Sequence, residues 1–143
     1  MLRLSRIAGV RVVGEVDDVR SYLVCADVSV APLRIARGVQ NKVLEAMAVG
    51  VPVVATPPAI EGIEVRDGEE VLIGASSEEF AQQVIRLLSD SELRKAVTRK
   101  AWNKMSQSYN WESIGAKLDR FLTHPPIGES GEIANVDISR AHR

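Results

Sequence analysis

Short runs of β-branched residues alternate with segments of helical spacing along most of this 143-residue chain. Apolar runs of this length, bounded by glycine, proline or polar turns, are typical of buried strands. Four runs are predicted as strands, namely 11–14, 28–32, 52–56 and 70–74. Strands that alternate with helices form parallel sheets, because each helical crossover returns the chain to the same edge. The sequence therefore predicts an α/β domain with a doubly wound parallel sheet.

The helical segments carry start and stop signals. Five helices are expected: one capped by Asp17 or Asp18, one over 41–49, one over 78–89, one over 90–108 and one over 110–122. Gly50 ends the second helix, and Ser76 with Glu79 forms a capping box for the third. Beyond Leu122 the sequence is polar, contains two prolines and has no apolar period. We expect residues 1–122 to form one domain with a helical C-terminal segment, and 123–143 to be a disordered tail.

Charge and cysteine content exclude several classes of protein. The formal net charge is −1, whereas a nucleic-acid partner needs a concentrated basic surface. Cys25 is the only cysteine, so no internal disulfide can form and a reducing, cytoplasmic compartment is the simpler interpretation. No run approaches the roughly 18 apolar residues of a membrane span. No set of histidines, cysteines and carboxylates has metal-ligand spacing, so neither a metal nor a bound cofactor is expected.

One acid, Glu45, interrupts an otherwise apolar helix in the stretch ARGVQNKVLEAMAVGVPVVAT, residues 36–56. Each helical residue turns about 100°, so Val43 and Met47 share the face that packs on the sheet. Glu45 falls with Asn41 on a different face. The acid is therefore predicted to lie outside the core.

The start of this helix is predicted to bind phosphate. It follows Gly38 at the carboxyl end of a strand, which is the edge where open α/β sheets bind ligands. Free backbone N–H groups and the helix dipole attract anions there, and Lys42 adds a positive charge. Glu45 is one turn further along, within reach of paired hydroxyl groups. A ribose next to a diphosphate fits this geometry.

Four stretches carry a more specific signal through their order and spacing: VRVVGEVDDVRSYLVCADVSVAPL, RGVQNKVLEAMAVGVPVVAT, GIEVRDGEEVLI and YNWESI. Over roughly residues 9–122 the chain resembles the C-terminal, donor-binding half of GT-B-fold glycosyltransferases, in the large retaining family called family 4 or group 1. The resemblance implies a Rossmann-like domain. The form PLRIARGVQNKVLEAMA looks most like sugar transferases that build exopolysaccharide.

The resemblance implies roles for the matching positions. Glu45 matches the glutamate that holds the ribose of the nucleotide, and Gly14, Glu15 and Val16 match the segment along the base. The positions implied to face the diphosphate and the sugar are Arg37, Gly38, Val39 and Gln40, to which the helix geometry above adds Lys42. Arg37 departs from the family pattern, which has a glutamate near the transferred sugar. This departure leaves open which sugar is bound and with what stereochemical outcome it is transferred.

The resemblance also implies partners that lie outside this chain. The family's diphosphate-binding arginine and lysine follow a first strand, and we expect that strand, those two residues and the N-terminal, acceptor-binding domain to lie outside this sequence. We therefore expect a fragment that binds a nucleotide-diphosphate sugar, such as a UDP- or GDP-sugar, weakly and transfers nothing by itself. The whole enzyme is expected to transfer a hexose to an acceptor hydroxyl in polysaccharide or glycoconjugate synthesis. Any association with the inner face of the membrane would come from the full-length protein.

Two other classes of function remain open. A noncatalytic domain could keep the same fold for protein interaction, and nucleotide binding would separate it from a transferase. A signalling receiver domain is also a small doubly wound unit, and Asp17 and Asp18 could imitate its acidic pair. However, no aspartate ends the strand 28–32, and no Lys-Pro follows a later strand. A dehydrogenase lacks support, because no G-x-G-x-x-G follows a first strand.

Overall fold

A computed structural model describes residues 4–109 and Gly115. The sheet in this part of the chain has three parallel strands in the order β1-β2-β3. The strands are β1, Ser29–Ala31; β2, Val53–Ala55; and β3, Leu72–Ile73. The helices are α1, Arg20–Leu23; α2, Asn41–Val49; α3, Ser77–Ser89; and α4, Ser91–Ser108, with short 3₁₀ turns at Leu4–Arg6 and Pro57–Ile60. The predicted α/β class with a parallel sheet is confirmed.

The central strand β2 fixes the register of the sheet. Val54 pairs with Val30 on one side and with Leu72 on the other, both in parallel. Val53 is 1% exposed, and the next two residues are fully buried. Consecutive strand side chains point to opposite faces, so both faces of β2 are covered. This burial explains why 52–56 reads as a continuous apolar run rather than an alternating one.

The predicted strand over 11–14 is wrong. These residues form no bridge with the sheet, and Val12 and Val13 are 42% and 43% exposed. A strand is stabilised by a hydrogen-bonded neighbour, and within residues 4–109 this segment has none. The outer edge of β1, where Val30 is 47% exposed, is likewise unpaired among the described residues. An apolar β-branched composition was therefore insufficient to make a strand there.

Helices α2 and α3 pack on the sheet and complete the core. α2 contacts β1 and β2, and α3 contacts β2 and β3. The cluster against the sheet comprises Val54, Leu72, Leu87 and Val97, with Val28, Phe80, Val84 and Leu93 packed against it. Full burial of such side chains stabilises the fold by about 1.5–3 kcal/mol each, before the entropy of ordering is subtracted. The sheet and its helices therefore form a well-packed base for the loops at the sheet edges.

The end of α2 and the start of α3 lie where the sequence predicted them. Gly50 ends α2 in the left-handed conformation, with φ 85°. The capping box at the start of α3 is present: Ser76 Oγ accepts from Glu79 N at 3.1 Å, and Glu79 Oε2 accepts from Ser76 N at 3.3 Å. The first helix is an exception: α1 has one turn beginning at Arg20, and its N-cap is Val19, so the predicted cap at Asp17 or Asp18 is wrong.

Replacing Ser76 by alanine is expected to destabilise the protein by about 1 kcal/mol, because the Glu79 N–H loses its cap. Thermal unfolding should show a midpoint lower by roughly 4 °C. Ser77→Ala is the matched control, since Ser77 is exposed at the next position and makes no capping bond in the described structure. Equal midpoints for the two variants would contradict the capping assignment.

The chain divides into two compact units, Met1–Asn103 and Lys104–Arg143. The first holds the sheet, α1 to α3 and most of α4. In the second, the described residues are the end of α4, Tyr109 and a helical Gly115; the Tyr109 N–H donates to Met105 O at 3.1 Å. The predicted helix over 110–122, apart from Gly115, and the predicted tail over 123–143 lie outside the described residues.

Candidate functional site

The start of α2 lies at the carboxyl edge of the sheet. The helix is the crossover between the parallel strands β1 and β2, so it begins beyond the end of the first and returns to the start of the second. Thr56, directly after β2, joins the two strand ends at this edge. Its hydroxyl donates to Leu33 O at 2.6 Å, and its backbone N–H donates to Ala31 O at 3.2 Å. The loop that leads to α2 is therefore anchored where ligands of such sheets bind.

A tight turn precedes α2. Gly38 has φ 69°, a conformation that side-chain-bearing residues rarely adopt, and a β-carbon there would meet nothing within 4 Å. Gln40 Nε2 donates to Gly38 O at 3.0 Å and to Arg37 O at 3.4 Å. These bonds turn the carbonyls of the loop toward the Gln40 side chain. The face of Gly38 itself stays open to a ligand.

Backbone donors and cations collect at this turn. Gln40 is the N-cap of α2 and makes no side-chain cap bond. Within residues 4–109, no hydrogen bond satisfies the N–H groups of Asn41 and Lys42. The side chains of Arg34, Arg37 and Lys42 are exposed and form no ion pair in the same range. Open N–H groups at a helix start, with cations beside them, favour an anion.

Glu45 lies one turn into α2 and is exposed, as Asn41 is. The buried face of the helix is formed by Val43, Ala46 and Met47. No hydrogen bond or ion pair of the described residues engages the Glu45 carboxylate, so both oxygens can accept hydrogen bonds from a ligand. The predicted separation of the acid from the core is confirmed, while its role in binding remains a prediction.

The segment Gly14, Glu15 and Val16 precedes α1, and α1 contacts α2. Gly14 adopts φ 85° in open space. Among residues 4–109, no hydrogen bond joins this segment to the turn before α2 or to Glu45. Its predicted place along a nucleotide base therefore rests on the sequence.

The chain after this segment is fixed locally by one ion pair. The Arg20 guanidinium donates to both carboxylate oxygens of Asp18, with its Nη2 at 2.9 Å from Oδ2. Side-chain and backbone hydrogen bonds from Arg20 lower the pKa of the Asp18 carboxyl. Cys25, which follows the short α1, is exposed.

One neighbour of the turn was not predicted from the sequence. Gly62, with φ 79°, packs so close to Val39 that a β-carbon on it would lie 3.3 Å from Val39 Cγ2. The loop after Pro57–Ile60 thus forms a wall beside the turn before α2. The signal available in the sequence was the glycine in EGIEV, six residues after the carboxyl-edge residue Thr56. Val39 and Gly62 together limit the space for a ligand on this side.

In residues 4–109, no group of three or more histidine, cysteine, aspartate or glutamate side chains is arranged to hold a metal ion. No helix in the same part of the chain is both long and apolar enough to cross a membrane.

Comparison with known proteins identifies the family of this chain. Residues 2–90 match the family described as glycosyl transferases group 1. A similar solved structure is the C-terminal domain of a group 1 family glycosyl transferase from Francisella tularensis, with a TM-score of 0.63 and 23% identity. The match covers 71% of this chain and 53% of that one, so the chain spans about half of the solved domain. No curated protein matches. With the family match over more than half of its length, the chain belongs to the group 1 glycosyl transferases.

Proposed function

We propose that this chain is the donor-binding part of a glycosyltransferase that moves a hexose from a nucleotide-diphosphate sugar to an acceptor hydroxyl. One juxtaposition carries the proposal. The unbonded N–H groups of Asn41 and Lys42 lie at the carboxyl edge of the sheet, with the exposed Arg37 beside them and the exposed Glu45 one turn along. A diphosphate and its neighbouring ribose present the complementary groups, two anions and a pair of hydroxyls.

Each part of the turn has a distinct role in this proposal. The N–H groups at the start of α2, with Lys42, bind the diphosphate, and Glu45 accepts hydrogen bonds from the ribose hydroxyls. Gly38 lets the ligand approach the backbone, and Val39 with Gly62 bounds the sugar. Gly14 to Val16 are assigned to the base.

The groups that bind the diphosphate would also stabilise it as the leaving group. When the bond between the anomeric carbon and the diphosphate breaks, negative charge grows on the diphosphate oxygens. Fixed N–H donors and cations directed at that charge lower the barrier because they need no reorganisation. We assign this neutralisation to Lys42, Arg37 and the start of α2 rather than to a metal cofactor.

The biological setting is also proposed. We infer that the acceptor is held by a further, N-terminal domain, so this chain alone binds the donor weakly and turns over nothing. Polysaccharide synthesis of the exopolysaccharide type fits the PLRIARGVQNKVLEAMA stretch. A cytoplasmic location, with any contact at the inner membrane face made by the full-length protein, fits a supply of nucleotide sugars and the free, exposed Cys25.

Calorimetric titration of the chain with UDP, GDP, ADP and inorganic pyrophosphate tests the proposal. At least one nucleotide should bind more tightly than pyrophosphate, because the ribose adds its contacts with Glu45. A folded protein that binds none of the four would contradict the proposal and favour a noncatalytic interaction domain.

Arg37 is expected to set the preference for the sugar. Replacing Arg37 by glutamate reverses the charge beside the sugar, so the ratio of affinities for two nucleotide sugars should change by about fivefold or more, the effect of one partly exposed charge-assisted contact. The affinity for the free nucleotide should change less. Competition binding with UDP-glucose, UDP-glucuronate and UDP measures both effects.

Arg86→Glu is the control for the change in net charge, because Arg86 is exposed on α3. If Arg37→Glu alters affinity for UDP and for both UDP-sugars by the same factor, Arg37 contacts only the nucleotide part.

A further inference from the structure

An open groove of about 550 Å³ lies on the first compact unit. Its walls include Gly50, which ends α2, and Pro52, which directly precedes β2. These residues mark the amino edge of the sheet, whereas the start of α2 marks the carboxyl edge. The groove is therefore separate from the turn to which the nucleotide sugar is assigned, and its contents are a separate question.

One face of α4 forms the long wall of the groove. Lys95, Thr98, Arg99 and Trp102 recur three or four residues apart, so they lie on the same side of the helix. The Thr98 methyl group lies 3.9 Å from the position that a β-carbon on Gly50 would take. The α4 wall and the Gly50 wall therefore meet at Thr98, and Lys95, Arg99 and Trp102 line the rest of the α4 wall.

The groove is positively charged. Arg94 lines the groove, and its Nη1 donates to Leu87 O at 3.1 Å and to Leu88 O at 3.4 Å, while no carboxylate of residues 4–109 forms an ion pair with it. Among residues 4–109, Arg99 has no hydrogen-bond or ion-pair partner. Lys95 adds a third cation, paired at 2.9 Å with the exposed Glu92. An exposed pair of this kind is weak and can yield to an anionic ligand.

Two further groups restrict what the groove can bind. Trp102 is 53% exposed, and its indole offers a flat apolar face. Asp27 contributes a carboxylate on the opposite wall, which accepts hydrogen bonds from hydroxyl groups and repels anions. A ligand must therefore bring an anionic group, hydroxyl donors and a ring with an apolar face.

We propose that this groove binds an acidic saccharide, such as a uronate-containing glycan. Its carboxylate pairs with Arg99 and Lys95, its hydroxyls donate to Asp27, and the face of a sugar ring packs on Trp102. The openness of the groove favours a segment of a longer chain, since pockets for isolated small molecules enclose most of their ligand. Lipid headgroups in an anionic bilayer satisfy the cations but leave Asp27 facing like charge.

Amide chemical shifts of the isotope-labelled 143-residue chain provide the test. Titration with hexagalacturonate should shift the amides of 94–102 and of Asp27 in a saturable way, whereas maltohexaose, which is neutral, should bind at least about fivefold more weakly. UDP should leave these signals unchanged, so the outcome is independent of the proposed nucleotide site.

Substitutions in the groove locate the binding. Arg99→Gln and Trp102→Ala should each weaken hexagalacturonate binding about fivefold or more, while Arg86→Gln, outside the groove, should not. Circular dichroism establishes that each variant is folded; Arg99 is exposed and unpaired in the described structure, so its variant tests the groove even if the tryptophan variant unfolds.

Three results would overturn the proposal. They are the absence of saturable shifts with hexagalacturonate, equal affinity for the acidic and neutral saccharides, and wild-type affinity in Arg99→Gln.

Binding to vesicles that contain phosphatidylglycerol tests the alternative that the groove contacts a membrane surface. Vesicle binding that depends on Arg99, without any response to the saccharide, would assign the groove to a membrane surface instead.

Discussion

Replacement of Glu45 by alanine is expected to weaken nucleotide binding about tenfold or more, because hydrogen bonds from ribose hydroxyls to a carboxylate contribute roughly 1.5–3 kcal/mol. Glu45→Gln keeps the shape and one acceptor oxygen, so its loss should be smaller. Calorimetry with the nucleotide that binds best measures both. Because Glu45 is exposed and unpaired among the described residues, neither variant should lower the thermal unfolding midpoint by more than about 2 °C.

The matched control is Glu78→Ala, which removes an exposed acid from the first turn of α3. It should leave nucleotide affinity unchanged. If the Glu45 variants stay folded and bind every nucleotide as wild type does, the carboxylate is a solvated surface group and the ribose assignment is wrong.

The largest effect on stability is expected at Gly74. This residue follows β3, and its N–H donates to Ala55 O at 3.0 Å. A β-carbon on Gly74 would lie 2.4 Å from Phe80 Cα and 2.5 Å from Phe80 N. These are backbone atoms of α3, which cannot move aside as a side chain can. Gly74→Ala should therefore destabilise the protein by about 3 kcal/mol, a severe case of overpacking.

Chemical denaturation measures this loss, and thermal unfolding should show a midpoint lower by roughly 10 °C. Gly68→Ala separates steric conflict from backbone strain. Gly68 has φ 72° with nothing within 4 Å of its β-carbon position, so that variant should lose only about 1 kcal/mol. A Gly74→Ala protein as stable as wild type would show that α3 does not approach β3 so closely.

Local sequence signals predicted α2, the start of α3 and the position of β2 well, because each has a physical cause within a few residues. Gly50 can adopt the left-handed conformation that ends α2, and the capping box of α3 satisfies its own N–H groups. β2 is apolar throughout because both of its faces are covered. In each case the local preference and the tertiary packing agree.

Pairing between distant segments could not be predicted in the same way. Residues 11–14 have the composition of a strand, but a strand also needs a neighbour, and composition does not identify one. The exposure of single side chains could not be predicted either. Trp102 and Cys25 are apolar residues within predicted helices, yet both are exposed, because a helical pattern does not show what covers each of its faces.

The candidate site was predictable where it depends on one helix. The exposure of Glu45 and Asn41 and the position of Gly38 follow from helix geometry and from the order of strand, loop and helix. The approach of Gly62 to Val39 links two loops, and the groove at the amino edge joins α4 to the ends of α2 and of the loop before β1. Contacts of this kind arise from tertiary packing, which a single sequence does not display.

Mapping a bound nucleoside diphosphate by amide chemical shifts tests the central claim most directly, since it detects even weak binding. Titration with UDP or GDP should shift the amides of Gly38 to Lys42 and of Glu45, together with those of 14–16, and leave 94–102 unchanged. Shifts confined to the groove lined by Arg99 and Trp102, or none at saturating nucleotide, would contradict a donor site at the start of α2.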